Sequence, residues 1–298
     1  MAPTPNPHAK IPSENFLVDG EHILYDDTPT IDLDQDLKGG FLTKTLPLSP
    51  EPYMRERMRD SSIASYSSPM KIGQPIVGTG LVVVLRSEKE GVKAGDYMLG
   101  YTPWEAYTLQ PYVDARVDFK GFPSYTFDMD LLALQTVPSP IGFPWQLYCS
   151  CLGVPGFAAF VGLDKFGDVE AGKTIYVSSG ASGLGSVVIQ LAKNKGLKVI
   201  GSASSDEKVA FMRSIGADVA FNYKKSSVQQ ELKNHGPIDV YFDNVGGEQL
   251  EAAIDNMNLQ GRIIACGAIS EYNRDFAVAT GGYWWLIFSG PDDSLWVN

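Results

Sequence analysis

The sequence is poor in the residues that hold metals. Its 298 residues include three cysteines (Cys149, Cys151, Cys266) and three histidines (His8, His22, His235). A structural zinc takes four thiolate or imidazole ligands, and a catalytic zinc usually takes three protein ligands. Cys149 and Cys151 are the only close pair, and no histidine lies near them in sequence. The expectation is therefore no metal, with the cysteines as stray buried thiols. An odd cysteine count fits a reducing, cytoplasmic compartment. Basic residues are scarce as well: 24 Lys and Arg against 35 Asp and Glu give a net charge of −11 and a pI near 4.7. Nucleic acid is excluded as an expected partner, because such binding draws on clustered cations. Long apolar runs are missing too. The longest uncharged stretch, Leu131 to Leu163, is broken by Pro138, Pro140, Pro144 and Pro155, so it reads as a buried crossing between domains and not as a membrane span. The N-terminal Met-Ala-Pro-Thr-Pro-Asn-Pro has no apolar core of a secretion signal.

What remains is an ordinary globular composition, 44% hydrophobic and 20% charged, on a chain long enough for two domains. From Phe16 to about Leu109, short apolar runs such as Phe41–Leu46, Ile76–Leu85 and Asp96–Tyr101 alternate with Gly and Pro, which predicts a small antiparallel barrel or sandwich. Seven acids between Asp19 and Asp36, with no cation among them, read as a solvated loop face. From Lys173 the pattern becomes strand, helix, strand, helix. Strands are expected at Thr174–Ser178, Lys198–Gly201, Val219–Asn222, Ile238–Asp243 and Arg262–Cys266. Helices are expected from Leu184 to Ala192, from Asp206 to Ile215 and around Glu248–Met257. Such alternation predicts a parallel sheet covered on both faces. The boundaries drawn are residues 1–125 for the first domain, 126–278 for the second and 279–298 for a divergent tail.

The turn between the first strand and first helix of the second domain, Ser178-Ser-Gly-Ala-Ser-Gly-Leu-Gly185, is the strongest functional signal. Its glycines (Gly180, Gly183, Gly185) let the backbone approach a pyrophosphate, and the helix N-terminus supplies free N–H groups and the positive dipole end. A site for NAD normally carries an acid at the end of the second strand, to bind the ribose hydroxyl. Here that strand ends Gly201-Ser-Ala-Ser204, with Lys208 shortly after and Tyr223 and Lys224 after the third strand. A missing acid and added cations favour NADP. Asp206 stands nearby, but it reads as a first-turn helix residue favoured by the dipole. No tyrosine has a lysine four positions later, which excludes the short-chain dehydrogenases.

Five stretches resemble the zinc-independent branch of the medium-chain dehydrogenase/reductase superfamily, in particular its alkenal double-bond reductases and prostaglandin reductases. They are Pro52-Tyr-Met-Arg55; Gly95–Gly100 with Trp104; Val177–Gln190; Gly201–Lys208 with Phe221–Lys224; and Tyr241–Gly247 with Gly261-Arg262 and Cys266–Asn273. The resemblance implies a GroES-like β-barrel followed by a Rossmann domain of α/β class. It implies that Ala181, Ser182, Gly183 and Leu184 hold the pyrophosphate, and that Lys208 and Tyr223 hold the adenosine phosphate end. Asn244 and the segment Cys266, Gly267, Ala268, Ile269, Ser270 are implied to run beside the nicotinamide. The implied reaction is NADPH-dependent reduction of a carbon–carbon double bond conjugated to a carbonyl, with a small enal or enone as substrate. Such chemistry needs a hydrogen-bond donor aimed at the carbonyl oxygen, where negative charge grows. Tyr272 is the implied catalytic donor, and Tyr53 the implied pocket-wall tyrosine. Arg55, Arg57 and Arg59 are read as a solvated face.

After Asn273 the resemblance stops. Similar enzymes continue through another strand and helix and return to the barrel, and that stretch often supplies the edge of a homodimer. This chain instead carries Gly281-Gly-Tyr-Trp-Trp-Leu-Ile-Phe288, which either packs in place of the missing strand or marks a truncated product. Two functions stay open: an active enal or enone reductase, and an NADP-binding but catalytically weak protein with a binding or scaffolding role. A sixth strand on the nucleotide sheet favours the first.

Overall fold

The computed structural model describes residues 3–5, 22–63, 67–112, 134–137, 143–272 and 295–296. The chain divides into two units, Met1–Cys149 and Ser150–Asn298. In the first, β1 (Pro3–Pro5) and β2 (Ile23–Tyr25) form a separate antiparallel pair. The main sheet is antiparallel and built from β3 (Phe41–Leu48), β4 (Val77–Ser87), β5 (Tyr97–Pro103), β6 (Tyr107–Gln110) and β7 (Gln135–Val137), in the order β6-β3-β4-β5-β7. Pro47 has no N–H to offer the ladder, and the β3–β4 register shifts between Thr45 and Leu48 around it. Phe41, Val82, Val84 and Met98 fill one small core, and Leu81, Tyr148 and Cys149 another. The unit reaches residue 149, beyond the boundary drawn at 125, because β7 adds to the edge of β5 and a 3₁₀ turn, Trp145–Cys149, stacks Trp145 on Tyr97 at 4.3 Å.

A short helix, α1 (Tyr53–Arg57), follows β3. The expected solvated arginine face is not formed. Arg57 is buried and donates to the carbonyls of Ser68 and Val77, and Arg59 donates to those of Glu56, Ile63 and Ser67. Loop carbonyls collected around a guanidinium replace its hydration, which the spacing of three arginines does not reveal. The acidic loop behaves as expected where it is described. Asp26 accepts from Thr28, Asp32 from the Asp34 N–H and Asp36 from the Lys38 N–H, all exposed; Asp19 and Glu21 lie outside the described residues. Of the three cysteines only Cys149 is buried, with its thiol pushed up to about 11 by burial; Cys151 and Cys266 are exposed. The stretch from Leu131 to Leu163 is no continuous buried crossing either, since Phe143, Leu152, Phe157 and Phe160 are each about half exposed.

The second unit opens with α2 (Val154–Val161), prolonged by a π-helical turn, Gly162–Phe166. Then come β8 (Thr174–Val177), α3 (Gly183–Asn194), β9 (Lys198–Ala203), α4 (Asp206–Ser214), β10 (Val219–Asn222), α5 (Val228–His235), β11 (Ile238–Asp243), α6 (Gly247–Asp255) and β12 (Met257–Ala265). The sheet order is β10-β9-β8-β11-β12-β13, parallel except for β13 (Leu295–Trp296), which runs antiparallel to Arg262–Ile263 as the sixth strand. Residues 273–294, with the Tyr-Trp-Trp run, lie outside the described residues.

Alternation along the buried strands builds a core on each face. Ile175, Val177, Val199, Val240 and Phe242 pack with Val188, Ile189 and Met212 of α3 and α4, whereas Tyr176, Ile200 and Tyr241 pack with Leu232, Ala252 and Ala253 of α5 and α6. Serines cap three helices: Ser182 accepts from the Gly185 N–H, Ser205 from that of Lys208 and Ser227 from that of Gln230. Such caps contribute about 1 kcal/mol each. Helix α5 was not expected from the sequence, because in Val-Gln-Gln-Glu-Leu-Lys-Asn-His only Leu232 is buried and no apolar stripe repeats. Strand β12 starts five residues before the expected Arg262. Among the described residues no three His, Cys, Asp or Glu side chains gather as a metal site, and no helix is long and apolar enough to cross a membrane.

Candidate functional site

The order of the six strands places a switch point between β8 and β11. Chain connections leave those two strands in opposite directions, opening a crevice at their C-terminal ends where ligands of such sheets bind. The β8–α3 turn forms one lip. Ser179 holds a left-handed conformation (φ +52°), and the Gly180 N–H donates to Ser202 O at 2.9 Å. A Cβ on Gly185 would stand 2.4 Å from Ser179 O, so only glycine lets α3 start this close to the turn. A Cβ on Gly183, by contrast, would meet nothing within 4 Å. Behind the turn, Ala181 and Leu184 pack on the core. Gly183, at the start of α3, thus faces open space, and the helix N-terminus there can take an anion with the N–H groups that the Ser182 cap leaves over.

A buried polar cluster forms the other lip. Asp243, 2% exposed, accepts on Oδ1 from the Tyr241 hydroxyl (2.7 Å) and from the N–H groups of Val245 (2.9 Å) and Gly246 (2.8 Å). Burial raises its carboxyl above the ordinary range, and these donors oppose the rise. Gly246, at φ +70°, supplies the left-handed residue that bends the chain back over the carboxylate. Asn244 is tied across the switch point: its N–H donates to Ser178 Oγ (2.9 Å) and its Nδ2 to Ser178 O (2.7 Å). The segment after β12 is laced to the same turn. The N–H groups of Cys266 and Gly267 donate to Asp243 O, and Ser270 Oγ donates to Val245 O at 2.6 Å. Tyr272 lies over this loop, its phenol oxygen accepting the Ala268 N–H at 3.4 Å.

A cleft of about 1060 Å³ runs along the unit, and Ala181, Ser182, Lys208, Tyr223, Ile269 and Ser270 all line it. The structure therefore brings the glycine turn, the lysine–tyrosine pair and the post-β12 segment to one cavity. Gly180 and Gly185 serve behind the turn as close-packing residues. Asn244, Cys266, Gly267, Ala268 and Tyr272 sit at the C-terminal ends of β11 and β12, joined to the lining through the bonds just described. Sequence reasoning missed the anchor Asp243, although it lies inside the quoted Tyr241–Gly247 motif, and it missed Ser227 and Gln229, which line the cleft from the unexpected α5. Asp206, the acid nearest the end of β9, is turned aside: Oδ1 accepts from Asn222 Nδ2 at 3.0 Å and Oδ2 contacts Lys225 Nζ.

Tyr53 belongs to the first unit. Its hydroxyl hydrogen-bonds that of Tyr101, and burial raises both phenols, Tyr101 to about 12. Glu51 lies beside the pair. Burial carries its carboxyl up to about 7, only partly opposed by the Ser49 and Thr79 hydroxyls.

Family sequence models describe the two parts of the chain: "N-terminal domain of oxidoreductase" matches residues 27–115 and "Zinc-binding dehydrogenase" matches residues 183–282. A 2-alkenal reductase (NADP(+)-dependent) of Nicotiana tabacum is 38% identical over 78% of this chain and 64% of its own length. Prostaglandin reductase 1 of Mus musculus is 36% identical over 88% of this chain and 71% of its own. The chain thus spans about two thirds of the length of the relatives it matches. Among solved structures, CurA from Vibrio vulnificus in complex with NADPH superposes with a TM-score of 0.68 at 29% identity, covering 88% of this chain and 70% of CurA.

Proposed function

The chain belongs to the zinc-independent branch of the medium-chain dehydrogenase/reductase family, and from that premise we propose that it is an NADPH-dependent reductase of enals and enones. The observation that carries this reading is the single cleft shared by the Ala181–Ser182 turn and by Lys208 and Tyr223. An anion cradle at one place and a cation with a phenol at another match the pyrophosphate and the adenosine phosphate of NADP. The residues present fit the cofactor on two counts. The open face at Gly183 leaves a phosphate room that a side chain would fill. No acid from the end of β9 lines the cleft, so none at that point repels a ribose phosphate; the acids that do line it, Glu248, Glu251, Asp255 and Glu271, come from α6 and the segment after β12.

When bound, the cofactor supplies a hydride for the β-carbon of the conjugated substrate. The protein's share is to position and to stabilise charge. In this proposal the α3 N-terminus with Ala181, Ser182, Gly183 and Leu184 holds the pyrophosphate, and Lys208 with Tyr223 holds the adenosine phosphate end. Asn244 and the Cys266–Ser270 segment line the nicotinamide end, kept rigid by Asp243 and Ser178. Tyr272 is assigned as the donor to the substrate's carbonyl oxygen. Its phenol oxygen accepts the Ala268 N–H, which holds the ring over the Cys266–Ser270 segment. Tyr53 is proposed as a substrate-side tyrosine on its resemblance to the family's pocket wall alone.

The test is the decay of reduced-nicotinamide absorbance with NADPH and with NADH over a panel of enals and enones. NADPH-selective decay with a conjugated substrate is expected. Replacing Tyr272 by Phe is expected to lower kcat by about a hundredfold with NADPH affinity unchanged, the size seen when one donor to a developing oxyanion is lost. Unchanged turnover in Tyr272→Phe removes the tyrosine from this role. NADPH binding without turnover across the panel replaces the reductase by a cofactor binder.

A further inference from the structure

Resting on the NADP reading above, we propose that Lys225 and Asn222 form a clamp that withdraws the Asp206 carboxylate from the cofactor cleft and thereby sets the preference for NADPH over NADH. An acid just beyond the second strand of a dinucleotide-binding sheet accepts from the ribose hydroxyl of NAD and repels the phosphate of NADP. Asp206 stands three residues after β9, at the first turn of α4, between two residues that do line the cleft, Ser204 and Lys208. Its own side chain is absent from that lining. Both of its oxygens are occupied on the far side, Oδ1 by Asn222 Nδ2 at 3.0 Å and Oδ2 by Lys225 Nζ.

The clamp is set by backbone geometry. Asn222 ends β10, and its carbonyl accepts the N–H groups of Lys225 (2.9 Å) and Ser226 (3.0 Å), while its Oδ1 accepts the Lys224 N–H at 3.1 Å. This tight turn presents Tyr223 to the cleft and swings Lys225 over Asp206. Thus one turn delivers a cofactor-facing phenol and neutralises the carboxylate that stands nearest the end of β9. The Lys225–Asp206 pair is about two-thirds exposed on both sides, so its contribution to folding is small. Its consequence lies in the charge felt at the mouth of the cleft.

The experiment measures dissociation constants for NADPH and NADH by nicotinamide fluorescence, on the unsubstituted protein and on Lys225→Met, Asp206→Asn and the double variant. Lys225→Met is expected to weaken NADPH about five- to tenfold, the effect of one released carboxylate several ångströms from a phosphate in a hydrated setting, while NADH binding holds or improves. Asp206→Asn alone is expected to change NADPH binding by less than about twofold, and in that background Lys225→Met is expected to be silent. An equal loss from Lys225→Met in both backgrounds overturns the clamp, because the lysine then acts on the phosphate directly. A Lys225→Met variant with unchanged preference overturns it too. The NADP reading is judged separately: equal affinity of the unsubstituted protein for the two cofactors removes that reading, and the clamp with it.

Discussion

Asp243 in the second unit and Glu51 in the first are both carboxylates packed beside tyrosine hydroxyls, and their surroundings treat them in opposite ways. Asp243 Oδ1 takes one phenol and two main-chain N–H groups at 2.7–2.9 Å. Glu51 Oε1 is sealed from solvent and takes no hydrogen bond of good geometry, the Ser49 and Thr79 hydroxyls beside the carboxyl giving it only weak support. Burial raises both carboxyls, but at Asp243 a shell of donors supports the charge, and at Glu51 burial dominates and carries it to about 7. A carboxylate with one oxygen held by a phenol and two main-chain N–H groups works as a fixed anchor, holding the turn that carries Asn244. One with an idle oxygen works as a group that exchanges a proton near neutral pH.

Breaking the anchored side is expected to have the largest effect. Asp243→Ala leaves the Tyr241 hydroxyl and the Val245 and Gly246 N–H groups buried without an acceptor, at about 3–5 kcal/mol of stability. Asp243→Asn keeps an acceptor oxygen in place and is expected to lose about 1–2 kcal/mol. Urea unfolding of the two variants measures the gap. Equal losses would mean that the charge matters at this site and the acceptor geometry does not.

The idle side is tested by pH. In the folded chain Glu51 keeps its proton up to about pH 7, whereas its ordinary value is 4.5. Between those values folding takes up a proton, so the first unit is most stable below the lower value and loses stability as pH rises toward the upper one, with no further loss above it. The separation amounts to at most about 3 kcal/mol. Glu51→Gln is expected to flatten this slope, matching the unsubstituted protein at low pH and exceeding it at pH 8. Hydrogen-exchange protection of the β4 amides reads the effect in the correct unit. A slope that survives Glu51→Gln assigns the titration to another group.

The two carboxylates also show what a sequence carries and what it does not. The β8–turn–α3 segment was legible because each local cue agrees: a short buried strand, glycines at a close approach, a serine cap and an apolar stripe on the helix. The parallel strands were legible because they are buried on both faces and so read as apolar runs. Asp243 was not, since its role depends on Gly246 folding two N–H groups back onto it, which is a property of the turn. Arg57 was misjudged because its acceptors, Ser68 O and Val77 O, reach it only through the tertiary fold. Helix α5 hid behind a polar composition with one buried leucine. Which way Asp206 faces is likewise decided by the turn after β10. The Cys266–Ser270 segment was placed by resemblance, and its bonds to Asp243 and Val245 give that placement a physical cause.

The smallest expected effect is also the sharpest probe of the anchored side. Ser178 Oγ touches Asp243 Oδ1 only at 3.5 Å, a weak bond beside the three shorter ones, but it accepts the Asn244 N–H at 2.9 Å. If the carboxylate is already satisfied, removing the serine hydroxyl should cost about what one unpaired N–H costs, about 1 kcal/mol. The loss should come from Asn244 and leave Asp243 untouched. Ser178→Ala and Asp243→Asn should then add to within about 0.5 kcal/mol in the double variant, as substitutions that share no essential partner do. A larger coupling would mean that Ser178 and Asp243 form one cooperative network across the switch point. In that case the contrast with Glu51 would lie in the connectivity of the cluster, and the number of donors on a single oxygen would be secondary.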